Sequence, residues 1–164
     1  MHRVFIGLGA NLNDPALQIV TALHTLHELP DTRLVNWSSL YGSSPLGPED
    51  QPDYVNAVAE IETSLEPLAL LDLTQQAERD QGRVKLRHWG ERCIDLDILL
   101  FGNMVLTSER LNLPHHELTN RSFVVSPLLE IAPDLTLPDG RRLDSVSPGF
   151  DGDLHKLHRP VIDL

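Results

Sequence analysis

Asp95 and Asp97 stand two apart in Ile94-Asp-Leu-Asp-Ile-Leu-Leu-Phe101, a segment otherwise wholly apolar. In a strand, that spacing puts both carboxylates on one face and Ile94, Leu96, Ile98 and Leu100 on the other. Adjacent like charges repel, and each loses solvation when partly buried. A divalent cation relieves both penalties, and two carboxylates completed by phosphate oxygens and water suit Mg²⁺. The plain alternative is a half-exposed strand whose polar face reaches water.

The cations cluster close by. Of 13 Lys and Arg, five lie within 79–92: Arg79, Arg83, Lys85, Arg87 and Arg92; Arg110 and Arg121 follow. A focused cationic patch on a chain of net charge −11 suits a small, highly charged anion. The familiar phosphate loops are missing. There is no GxxxxGK[ST] motif, and Gly7-Leu-Gly9 fails as GxGxxG because Leu12 holds the third glycine position. Those glycines are expected to permit a tight turn or a close backbone approach. Side chains must then hold any nucleotide phosphates, and arginine's planar fork suits the task.

Other reactive residues carry weaker signals. His115-His116 and His24-x-x-His27 lack cysteine partners and an HExxH frame. His24 and His27 are expected on a solvated helix face, and His115, six residues before Arg121, suits a phosphate better than a metal. Cys93 reads as a small packed residue, without a His–Cys relay. Tyr54, Trp89 and Phe123 belong to only eight aromatics and fall at loop or element ends, where rings can stack on a flat heterocycle; burial in the core is the other reading.

The elements that must position these residues follow from period and punctuation. Residues 3–9 read as a buried strand. Asp14 before Pro15 caps a helix with Ala16, Ile19, Val20, Leu23 and Leu26 on one face, stopped at Leu29-Pro30. Alternation predicts a strand over 32–41, a Pro/Gly loop over 42–52 and a strand over 54–63. Pro67 opens a second helix with Leu70, Leu71, Thr74 and Ala77 inward and Gly82 as its stop. A strand over 94–101 and a helix from Asn120 to about Ile131 complete the pattern. The order β-α-β-β-α-β predicts an α+β, ferredoxin-like split βαβ fold: a mainly antiparallel sheet, helices on one face, and a C-terminal helical or hairpin extension.

At 164 residues the chain suits a single domain over 1–164 that buries roughly 70% of its extended surface, with a loosely held tail over 145–164. One cysteine excludes a disulfide framework, and no apolar run approaches the ~20 residues of a membrane span. A soluble, cytoplasmic protein is expected, so the Asn36 and Asn120 sequons read as chance. The acidic balance and the lack of an aromatic-rich RNA-binding motif weigh against a nucleic-acid partner.

At this level the chain resembles the 6-hydroxymethyl-7,8-dihydropterin pyrophosphokinase family of folate biosynthesis over about 3–143. The resemblance rests on Gly9-Ala-Asn-Leu12, Ser44-Pro-Leu-Gly-Pro48 running into Gln51-Pro-Asp-Tyr-Val-Asn56, and Trp89-Gly-Glu-Arg-Cys-Ile-Asp-Leu-Asp97. Pro114-His115, Asn120-Arg121 and Phe123 complete it. It implies transfer of the β,γ-pyrophosphoryl group of ATP to the pterin hydroxymethyl oxygen, releasing AMP. Asp95 and Asp97 would hold two Mg²⁺ ions, and Arg83 and Arg92 would neutralise charge on the leaving group. Gln75, Glu78, Lys85, Trp89, Arg92, Ile98, Arg110, Asn112, His115, His116 and Arg121 would surround ATP. Tyr54 and Phe123 would sandwich the pterin, with Ser43, Ser44, Leu46 and Asn56 reading its edge and Trp89 helping to seal the site. ATP and the pterin are the partners so implied, on a monomer that binds neither nucleic acid nor membrane.

Some positions depart from the family's commonest pattern: Ser44 for proline, Lys85 and His88 for arginine, Asn112 for threonine, His116 for tyrosine, and a loop over 83–92 about one residue shorter. These bear on rate and affinity more than on reaction class. A nucleotidyltransferase or phosphohydrolase using the same carboxylates, and a split-βαβ RNA-binding module, are the competing classes.

Overall fold

A computed structural model describes residues 1–12, 14–43, 53–82, 93–146 and 154–164. The described elements run β1 (His2–Ala10), α1 (Pro15–Glu28), β2 (Thr32–Trp37), β3 (Tyr41–Ser43), β4 (Tyr54–Thr63), α2 (Pro67–Asp80), β5 (Asp95–Phe101), β6 (Leu106–Thr107), β7 (Asn112–Leu113), α3 (Ser122–Ile131) and β8 (His155–Lys156), with a 3₁₀ turn at Leu143–Ser145. Both early helices begin as their prolines dictate. Asp14 Oδ1 accepts the Leu17 N–H ahead of Pro15, and Pro67 opens α2, whose Leu70, Leu71, Thr74 and Ala77 are buried.

The sheet order is β5-β1-β4-β3-β8, with β2 also paired to β4. Because β1 and β2 are each antiparallel to β4, they run parallel on its two sides, joined by α1. The second half repeats the device: β4 and β5 flank β1, joined by α2. Helices α1 and α2 cover one face, where Ile19, Leu23, Leu26 and Leu70 pack on Val4, Ile6, Leu96 and Ile98. The opposite face is not bare. There α3, a helix of the C-terminal region, lays Val124, Val125 and Leu128 against Phe5, Val58, Leu99 and Leu100, so α1 and α2 share one face as expected and the later helix covers the other. No described helix is long and apolar enough to cross a membrane.

Four expectations need correction. The strand expected over 32–41 ends at Trp37: the Ser38 N–H still donates to the Val58 carbonyl, but the Val58 N–H turns to the Ser38 hydroxyl, which itself donates to the Ser39 carbonyl, so a side chain stands in for one ladder bond. Gly42 and Ser43 therefore belong to β3 and not to a loop. In β5 the alternation fails at its end: Phe5 pairs with Leu100 but Ile6 with Ile98, and the extra residue turns Leu100 to the face of Asp95 and Asp97. His27 is half-buried, its Nδ1 accepting the Leu34 N–H, rather than lying on a solvated face.

The fourth correction is the tail. β8 pairs with β3, Trp37 Nε1 donates to the Pro160 carbonyl at 2.8 Å, and the Arg159 guanidinium lies 4.4 Å from the Trp37 ring centre. Ile162 is buried in the cluster containing Leu34 and Leu40. A two-residue strand has no period to read, but its end is anchored.

Candidate active site

The carboxylates of Asp95 and Asp97 project from the face of β5 opposite α1 and α2, as their spacing predicts. Across the ladder, Asp97 stands opposite Gly7 and Asp95 opposite Gly9. On the far side of β1, Gly7 and Gly9 pair with Val58 and Asn56 of β4. The centre of this face is thus bare backbone, and the glycines form the floor of a cleft. Any side chain at 9 would meet Asn56 Oδ1 at 3.0 Å, and one at 7 would meet Leu99 at 3.4 Å. These glycines serve a close approach within a strand, not a turn.

Around that floor stand Ser43, Tyr54, Asn56, Asp95, Asp97, Leu99, His115, Arg121 and Phe123. Ser43 and Asn56 are buried, and Asn56 Nδ2 donates to Ser43 Oγ at 2.9 Å. That bond fixes the amide and leaves its oxygen over Gly9. Tyr54 opens β4 and Phe123 lies in the first turn of α3, so two rings reach one cleft from different elements. The Arg121 guanidinium lies 5.6 Å from the Phe123 ring centre, with Glu117 at 3.9 Å.

A second cleft opens between α2, β5 and the β6–β7 hairpin. Gln75, Glu78, Ile98, Arg110, Asn112 and His116 line it, together with Asp95, Asp97 and His115. Those three residues are shared, so both carboxylates lie at the junction of the two clefts. The edge position of β5 leaves the Leu96 N–H facing away from the sheet, and Glu78 Oε2 accepts it at 2.8 Å, tying α2 to the strand. Arg110 is held at the rim by Asp72 and by Gln75 Oε1 at 3.3 Å.

His115 is set by its backbone on both sides. Its N–H donates to the Leu99 carbonyl at 2.9 Å, and its Nδ1 accepts the Glu117 N–H at 3.1 Å. An accepting Nδ1 puts the proton on Nε2, where it can be donated to an anion. Burial lowers the His115 pKa, Asp97 pulls it back up, and Arg121 and His116 add to the lowering, so the net shift is downward.

The donor set fits magnesium. Among the described residues no group of three or more His, Cys, Asp and Glu converges to hold a metal. The chain supplies two hard carboxylates, and phosphates and water must complete the shell, which is how Mg²⁺ is usually bound beside a nucleotide. Cys93 is buried beside β5, as expected for a packed residue.

Every candidate residue within the described regions falls in one of the two clefts. Ser44, Leu46, Arg83, Lys85, Trp89 and Arg92 lie outside the described residues. What sequence reasoning missed is the cleft-floor role of Gly7 and Gly9. The signal was available: their i, i+2 spacing repeats that of Asp95 and Asp97, as expected for strands that pair.

Comparison with known proteins identifies relatives of this chain. The family described as 7,8-dihydro-6-hydroxymethylpterin-pyrophosphokinase (HPPK) matches residues 5–133. The 2-amino-4-hydroxy-6-hydroxymethyldihydropteridine pyrophosphokinase of Haemophilus influenzae is 57% identical over 150 residues, covering 92% of this chain and 94% of that protein. The protein of the same name from Pseudomonas aeruginosa is 53% identical over 143 residues, covering 87% and 88%. Among solved structures, wild-type Plasmodium falciparum HPPK-DHPS superposes with a TM-score of 0.69 at 14% identity, over 88% of this chain but only 44% of that longer one, a likeness of fold alone. The two carboxylates between paired clefts therefore sit in a chain that belongs to the HPPK family.

Proposed function

We propose that the chain transfers pyrophosphate from ATP to 6-hydroxymethyl-7,8-dihydropterin in folate biosynthesis, in a Mg²⁺-dependent reaction that gives the pterin diphosphate and AMP. The observation that carries this reading is the position of Asp95 and Asp97 at the junction of two clefts, where a flat ligand between the Tyr54 and Phe123 rings would meet a polyanion from the other side. The new bond joins the pterin hydroxymethyl oxygen to the β-phosphorus of ATP. The bond from that phosphorus to the α,β-bridging oxygen breaks, AMP leaves with the oxygen, and the hydroxyl proton passes to water.

Each residue has a part. Asp95 and Asp97 would hold two Mg²⁺ ions, which when bound supply Lewis-acid charge to the phosphates and acidify the attacking hydroxyl. His115 donates its Nε2–H to a phosphate oxygen, and Arg121 adds a fixed cation beside it. Gln75, Glu78, Ile98, Arg110, Asn112 and His116 surround the nucleotide. Tyr54 and Phe123 stack on the pterin over the Gly7–Gly9 floor, while Ser43 and Asn56 read its polar edge. Arg83, Lys85, Trp89 and Arg92, with Ser44 and Leu46 on the pterin side, keep the roles that the family resemblance implies.

The crossing order of the two β-α-β units supports a ferredoxin-like framework, with the β6–β7 hairpin and α3 as its extension. The same reading has a cytoplasmic monomer of one domain over 1–164. The test is product analysis with ATP, Mg²⁺ and the pterin. AMP should appear in step with pterin diphosphate; ADP, or turnover without pterin, would refute the two-phosphate transfer.

A further inference from the structure

We propose that Glu130 is a positioning residue for the pterin cleft: it ties α3, which carries Phe123, to the strand that carries Ser43, and so sets the spacing of the two walls. The inference rests on the functional reading above. Phe123 and Glu130 are seven residues apart on α3, about two turns or 10 Å along one helical rod, with Pro127 between them leaving the Phe123 carbonyl without its i+4 donor. At the far end of that rod the Glu130 carboxylate accepts the Ser39 N–H at 3.0 and 3.1 Å, the Ser39 hydroxyl at 2.8 Å and the Tyr41 hydroxyl at 2.9 Å. Ser39 and Tyr41 are buried, and the partly exposed Glu130 carboxylate is the acceptor that their donors meet. Tyr41 begins the three-residue strand that ends at Ser43, and Ser43 holds Asn56.

The C-terminal segment completes the clamp from the other edge. Lys156 pairs with Tyr41 in the ladder, and its Nζ lies 3.8 Å from Glu130. The Leu157 N–H donates to the Leu40 carbonyl at 2.7 Å, and the Leu40 N–H to the His158 carbonyl at 2.9 Å. His155 lies so close over Gly42 that a Cβ there would come 2.6 Å from its Nε2. Strand β3 is thereby held by β4, by the tail and by α3 at once. A three-residue strand needs that support to present Ser43 in one place. The ordinary alternative is that Glu130 merely adds stability, without bearing on the cleft.

Steady-state kinetics of the full chain separates the two. In Glu130→Ala the KM for the pterin should rise about tenfold while the KM for ATP stays within about twofold, because only one wall of one cleft moves. Glu130→Gln should recover part of the loss, since its amide oxygen still accepts from Ser39. Tyr41→Phe, which removes a single hydroxyl, should raise the pterin KM about two- to fivefold. An unchanged pterin KM in Glu130→Ala overturns the proposal, as does an ATP KM that rises in parallel. If Glu130→Ala does not fold, Tyr41→Phe and Glu130→Gln decide by the same criterion. A wild-type protein that makes no AMP from ATP and pterin overturns the functional reading and this inference together. An active wild type with variants unmoved in pterin KM overturns this inference alone.

Discussion

Gly9 stands directly opposite Asn56 in the β1–β4 ladder, and a methyl group built on Gly9 would lie 3.0 Å from Asn56 Oδ1. The backbone at Gly9 is ordinary strand, so alanine fits the local conformation and removes some unfolded-chain entropy. What it cannot do is leave the Asn56 amide in place. We predict that Gly9→Ala changes unfolding stability by no more than about 1 kcal/mol yet weakens pterin binding about tenfold. Urea melts and calorimetric titration with the pterin check the two halves. Undiminished pterin affinity would show that the bare floor is not part of the site.

Much of this geometry is legible in the sequence, for identifiable reasons. The i, i+2 pair at Asp95 and Asp97 and the apolar run around it specify a face of a strand, and the structure keeps that face. The helix starts at Pro15 and Pro67 are local chemistry and need no partner. Leu100 is different: its turn toward the other face depends on where Phe5 and Ile6 fall in the neighbouring strand. Glu130 was invisible because a helical glutamate becomes a clamp only when Ser39 and Tyr41, some ninety residues earlier, arrive beside it. The tail fails as a pattern for the same reason, since β8 is two residues long and its anchors, Trp37 and Leu40, are remote.

The Glu130 carboxyl should leave a mark on acid stability. Burial pushes its pKa up, but hydrogen bonds from Ser39 and Tyr41 and the charge of Lys156 outweigh that, and the net shift is downward. A carboxyl held below its unfolded value of about 4.3 stabilises the fold above that pH and loses the contribution as pH falls through the lower folded value. The wild type should therefore lose more stability than Glu130→Gln between about pH 6 and 3. Equal losses in paired urea melts at the two pH values would contradict the hydrogen-bonded carboxylate.

The anchored tail predicts a cost for shortening the chain. Ending it after Lys156 removes the Pro160 carbonyl that accepts the Trp37 indole N–H, and it removes buried Ile162. Burial of one such side chain is worth about 1.5–3 kcal/mol and the hydrogen bond about 1 kcal/mol. The Leu157 and His158 bonds to Leu40 go as well, so denaturant melts should show a loss of about 3–6 kcal/mol. The Trp37 indole should also move to a wetter environment, read by fluorescence in a Trp89→Phe background. A shortened chain as stable as the full one would leave the tail without a structural role.

Asp95 and Asp97 carry the account, and their metal role can be counted directly. Mn²⁺, substituted for Mg²⁺, can be titrated by electron paramagnetic resonance against the protein with a non-hydrolysable ATP analogue. The wild type should take up two Mn²⁺ per chain in that ternary mixture. Asp95→Ala and Asp97→Ala should each weaken this uptake and cut turnover by roughly 10³-fold or more, the scale of several kcal/mol of lost charge stabilisation. Undiminished Mn²⁺ uptake in the doubly substituted protein would contradict the claim that these carboxylates hold the ions between the two clefts.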